Sequence, residues 1–130
     1  MTLSLLIVPV SASADDNFPN RYEIMEAAHA LEVAASHFHN AVERRSGYSH
    51  LASDAHEFGV AARHFHRAVE GASSSWHIQR DYRQLQRDFH HLNYAYHRAH
   101  RQHHDMHIVR DWDRLEHAFE DLQYSFDDHR

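Results

Sequence analysis

AHALEVAASHFHNAVE at residues 28–43 returns as AHEFGVAARHFHRAVE at residues 55–70, with eleven of sixteen positions the same at an offset of 27. A second pair follows, since HIQRDYRQLQRDFHHLNY at 77–94 and HIVRDWDRLEHAFEDLQY at 107–124 agree at eight of eighteen positions with an offset of 30. Periods of this length mark helix-turn units. The first pair carries a stripe of Ile24, Leu31, Phe38 and of Leu51, Phe58, Phe65, each followed four residues later by Ala28, Ala35, Val42 and by Ala55, Ala62, Val69. The second pair carries Ile78, Tyr82, Leu85, Phe89, Leu92, Tyr96 and Ile108, Trp112, Leu115, Phe119, Leu122, Phe126. Steps alternating between three and four residues over several turns have the period of an amphipathic helix and not of a strand. The chain therefore predicts four helices.

Punctuation agrees with that period. Asn20 followed by Glu23 fits a capping box, and Ser75 and Asp105 fall at equivalent cap positions in the second pair. Breaks are expected at Ser46-Gly47, at Gly71 to Ser75 and around Arg101 to His104, although His97 to His107 contains no Gly or Pro and is compatible with continued helix. Connections this short force antiparallel neighbours. The expected fold is all-α, an antiparallel up-down-up-down four-helix bundle built from two pairs of similar helices. The alanine-rich first pair should pack closely, and the aromatic second pair should fill the rest of the core.

Residues 1–14 read as an export signal. Leu3 to Val10 is apolar and Ala12-Ser13-Ala14 has the small-residue pattern of a cleavage site, although no basic residue precedes Leu3. Removal would leave residues 15–130 as one histidine-rich domain, periplasmic or secreted. A membrane-crossing helix needs about 20 apolar residues, more than any stretch here supplies, so no integral membrane segment is expected in the mature chain. The absence of cysteine removes disulfides, thiolate zinc sites, blue-copper sites and c-type haem attachment. Thirteen basic and 19 acidic residues give a formal charge of −6 with no basic block, so nucleic acid is not an expected partner.

Histidine dominates the candidate chemistry, with 17 in 130 residues. Imidazole binds transition metals and titrates near neutrality. Protonating all 17 histidines would carry the chain from −6 to +11, over a window of roughly pH 7.5 to 5 set by the ordinary histidine pKa. The densest group is His97, His100, His103, His104 and His107. On a continuous helix His100 with His104, and His103 with His107, would share a face and chelate one ion. Nitrogen donors with a nearby carboxylate suit Zn(II), Ni(II) or Cu(II) better than Mg(II) or Ca(II). Alternatively these histidines form a solvated helix end.

The two His-Phe-His phrases behave differently, because residues two apart on a helix point about 200° from each other. With Phe38 and Phe65 in the core, the histidines flank the stripe on both sides. Across an antiparallel hairpin His37 is expected opposite Glu57, with His64 two turns along, so His37, Glu57 and His64 are a candidate bridging site. The alternative is a set of boundary histidines bonded to carboxylates. A di-iron carboxylate site is not expected: Glu26 and His29 fall on the outer side, and Asp88 and His91 have arginine neighbours. Non-covalent haem is not expected, for want of a histidine on the core stripe. Catalysis lacks a cysteine nucleophile and a Gly-rich phosphate loop, and no nucleophile partners His90 or His91, so no enzyme activity is expected. The functional expectation is divalent transition-metal binding as buffer, chaperone or sensor. The competing expectation is a pH-responsive module with a protein partner in the envelope.

Overall fold

Every stripe residue named above is buried, and the helices follow from that spacing. The computed structural model describes residues 21–71 and 73–127, and among them four helices occur in sequence with no strand. They are α1 (Arg21–Glu43), α2 (Ser49–Glu70), α3 (Ser75–Gln102) and α4 (Met106–Asp127). The expected export signal and the Asn20 half of the expected capping box lie outside the described residues. No helix among those described is long and apolar enough to cross a membrane.

Ring contacts give the direction and register of the helices. Across α3 and α4, Tyr82 stacks on Phe126, Phe89 on Phe119 and Tyr96 on Trp112, with centroids 4.0, 4.0 and 4.4 Å apart. One residue number rises by seven as the other falls by seven, which is the register of antiparallel helices. Phe58 with Phe89 and Phe65 with Tyr82 repeat that relation between α2 and α3. Phe38 against Trp112 joins α1 to α4. Neighbouring helices thus alternate in direction around an up-down-up-down bundle.

The seams differ in width. Backbones approach within 8 Å, Cα to Cα, between α1 and α2, α1 and α4, and α2 and α3, but nowhere among the described residues of α3 and α4. Small residues explain the close seams, since Ala41, Ala68 and Ala118 are buried beside the main stripe. Stacked rings hold the fourth seam open. Each such pair contributes about 0.5–1.5 kcal/mol beyond area burial. The aromatic pair fills the volume that alanine leaves, as the composition of the two pairs predicts.

The turn residues act by backbone conformation at Gly47 and by specific bonds from Arg45 and Tyr48. Gly47 has φ 91°, a left-handed conformation that suits glycine, and an added Cβ would lie 3.4 Å from the His103 ring. The Tyr48 hydroxyl donates to the His103 carbonyl at 3.1 Å, and Arg45 Nε donates to Asp105 Oδ2 at 2.7 Å. Arg45 Nη1 also donates to the Ala41 carbonyl at 3.0 Å, near the end of α1. The α1–α2 and α3–α4 turns are therefore tied together at one end of the bundle. At the other end the Arg21 guanidinium donates to the Val69 carbonyl at 3.2–3.3 Å.

Caps match expectation at α4 and miss by one residue at α3. Asp105 Oδ1 accepts from the backbone N–H groups of His107 and Ile108. The cap of α3 is Ser74 and not Ser75, with its hydroxyl accepting from His77 N at 3.2 Å. Ser73, Ser74 and Ser75 offer the same hydroxyl in succession, and only the position of the helix start separates them.

Three outcomes follow from this packing. Leu85 is fully buried, so Leu85→Ala should cost about 2–5 kcal/mol in chemical denaturation. Asn93 Oδ1 is shielded without a hydrogen-bond partner, so Asn93→Leu should be neutral or raise the melting temperature. The Arg45 hydrogen bond, helped by the two backbone N–H groups and opposed by partial burial, holds the Asp105 carboxyl below its ordinary range. A depressed carboxylate stabilises the fold above its unfolded pKa, and that contribution disappears as pH falls through the folded value. Asp105→Asn should therefore lower the melting temperature at pH 7, and the gap from the native chain should narrow below about pH 4.

Candidate functional site

Among the described residues no histidine and no charged residue is buried, so every described histidine sits on a helix flank, an outer face or a turn. This follows from the stripe itself, which gives all inward positions to apolar residues. Glu26 and His29 are exposed, as their phase predicts.

The His97 to His107 group is divided by the end of α3 at Gln102. His97 packs edge-on against Tyr96 and Trp112, with centroids 5.2 and 6.4 Å away. His100 stacks on Tyr96 and lies 4.4 Å from the His104 ring. His103 leaves the helix in extended conformation and turns onto Tyr48, with centroids 5.3 Å apart. His107 belongs to the first turn of α4 and is exposed. The structure brings His100 and His104 together, and the turn takes His103 and His107 into different surroundings.

His37, Glu57 and His64 do not share a seam. His37 lines the groove between α1 and α4, beside His29, Arg110, Asp111, Arg114 and His117, and also borders a groove with His66, Arg67 and Glu70 of α2. Glu57 and His64 line the groove between α2 and α3, beside His56, Asp81 and Asp88. The expectation of a bridging site chose the wrong flank of the stripe. A helical hairpin can turn to either side, and here the α1–α2 seam uses the flank that carries the second histidine of each His-Phe-His phrase.

Two cross-helix histidine contacts on that flank were not anticipated. His29 meets His66 with centroids 5.3 Å apart and planes at 56°. His39 meets His56 at 5.4 Å and 52°. Each has a carboxylate attached: His66 Nδ1 lies 2.7 Å from Glu32 Oε1, and His39 Nε2 lies 3.0 Å from Glu43 Oε2. Arg63 approaches the other oxygen of Glu32 at 3.6 Å. The signal that could have found these pairs is the 27-residue repeat laid antiparallel on itself.

Two further histidines take a single carboxylate or carbonyl partner. His77 Nε2 lies 3.3 Å from Asp81 Oδ2. His117 Nδ1 lies 2.8 Å from the Asp113 carbonyl, and this bond, with nearby Glu120, Asp113 and Glu116, raises its pKa against slight desolvation. A groove of about 590 Å³ between α2 and α3 has His50, His90, His91, Asp54 and Arg98 on its walls.

Among the described residues no group of three or more His, Asp or Glu side chains is arranged to hold a metal ion, so what this surface offers is histidine in twos. No protein family, curated protein or solved structure matches the chain.

Proposed function

We propose that the chain is an exported helical bundle that binds divalent transition-metal ions reversibly through pairs of surface imidazoles, as a buffer, chaperone or sensor and not as an enzyme. The observation that carries this reading is the pairing of histidine side chains, with the His100 and His104 rings 4.4 Å apart as the nearest example. A pair of nitrogen donors completed by water suits Zn(II), Ni(II) or Cu(II), and the chain has no thiolate to compete. Two protein ligands hold an ion less tightly than the closed four-ligand sites used for structure, which fits exchange better than scaffolding. Export is supported by the apolar Leu3 to Val10 run and the small residues after it.

A second reading is favoured by the His66–Glu32 and His39–Glu43 contacts, which are ion pairs only when the imidazole is protonated. In that reading acidification is the signal. The surface changes from acidic to basic, and affinity for an envelope partner changes with it.

Titration of the chain with Zn(II), Ni(II) or Cu(II) at pH 7.5 separates the two. Binding with release of protons is expected, because neutral imidazole is the ligand form. His100→Ala combined with His104→Ala should abolish the site that pair forms and lower the ion count by one. Binding that a nitrilotriacetate competitor strips away without a discrete stoichiometry would overturn the metal reading in favour of the pH-responsive one.

A further inference from the structure

The repeat shared by α1 and α2 runs in opposite directions across one seam, so a residue pair that forms once on that seam forms again at its repeat equivalents. The 27-residue offset carries His29 to His56 and His39 to His66. The His29–His66 contact therefore becomes the His56–His39 contact, and the two agree within 0.1 Å in centroid distance and 4° in interplanar angle. In both, an exposed histidine faces a half-buried one. The same ring placement occurs twice, by a local twofold relation within one chain.

The ring separation is that of a chelate. Two imidazoles sharing a tetrahedral ion at nitrogen–metal distances of about 2.0–2.1 Å place their ring centroids about 5 Å apart. The carboxylates occupy the position of outer partners. With a ring N–H donated to the carboxylate, Glu32 holds His66 through Nδ1 and leaves Nε2 as a lone-pair donor. Glu43 bonds His39 at Nε2 and leaves Nδ1. A metal-ligating histidine ordinarily has such a partner on its second nitrogen, which fixes the tautomer and raises basicity.

We propose that the α1–α2 seam carries two repeat-equivalent sites for a divalent transition-metal ion, His29 with His66 and His39 with His56, each joining one helix to the other. This rests on the metal-binding reading and adds to it a location, a stoichiometry of two on this seam and a mechanical effect. The sites differ in their surroundings. Arg63 lies beside Glu32 at the first, and Arg67 and Glu70 line the same groove. At the second, Gly59 stands where the repeat places Glu32 in α1, and a Cβ added at Gly59 meets no atom within 4 Å. The second site therefore lacks the cross-helix carboxylate of the first, and His39 has Glu43 of its own helix as its partner.

Native mass spectrometry of the full chain with Zn(II) or Ni(II) alone at pH 7.5, read beside thermal melts, tests this. His29→Ala and His56→Ala alter exposed positions, and each should remove one ion. The double variant should remove two and lower the metal-induced rise in melting temperature, while His100→Ala with His104→Ala leaves both seam ions in place. Glu32→Gln should weaken the first site by about 10- to 100-fold. Retention of the full ion count by the His29→Ala, His56→Ala double variant, with loss only in the His100→Ala, His104→Ala chain, would overturn the twin sites and spare the metal-binding reading. No bound ion in any form of the chain would overturn both.

Discussion

Burial of the same two positions in every seven residues of each helix is the constraint on which this molecule depends. From Ile24 to Val42, Leu51 to Val69, Ile78 to Tyr96 and Ile108 to Phe126 the apolar steps alternate four and three without interruption, and every residue so placed is buried. A period of 3.5 residues keeps one narrow face turned to its neighbours along the length of a helix. It also commits the remaining five positions to flanks and solvent. The histidines have nowhere else to go, and their arrangement in pairs along a seam is a by-product of how the core is spelled.

The two kinds of helix divide the task of filling that core. Alanine in α1 and α2 lets backbones approach, and large rings in α3 and α4 occupy the volume that close approach would otherwise remove. His100, Tyr96, Trp112, Phe89 and Phe119 form a run of nearly parallel rings, with successive planes 18°, 9°, 14° and 11° apart. The run begins on the surface with an imidazole and continues inward through apolar rings. Protein interiors are close-packed, so a bundle of unequal seams needs this complementarity between small and large residues.

Fold and core were legible in the sequence because periodicity is a property of single helices. The stripe, the helix number, the turns and the antiparallel order all follow from local spacing and short connections. Ser74 was misread as Ser75 because three serines in succession are locally equivalent. The site was less legible for a different reason. Whether His37 or His39 faces α2 depends on which side of the stripe the hairpin turns, and no residue in α1 alone encodes that choice. The division of the His97 to His107 group depends on where α3 stops, and a run with neither Gly nor Pro does not announce its end. His103 turns away to cover Tyr48, a contact between turns 55 residues apart. Pairings between elements decide such matters, whereas the pattern within an element decides the core.

The ring ladder between α3 and α4 has an optical consequence. Trp112 is buried between Tyr96 and Phe89, both within stacking distance and near parallel to it, whereas Trp76 is exposed under the Arg80 guanidinium. Chromophores fixed in one orientation acquire a near-ultraviolet circular dichroism that vanishes when side-chain packing loosens, even if the helices persist. The chain thus contains an intrinsic reporter of its widest seam and, at Trp76, a solvent-facing fluorophore that serves as its reference.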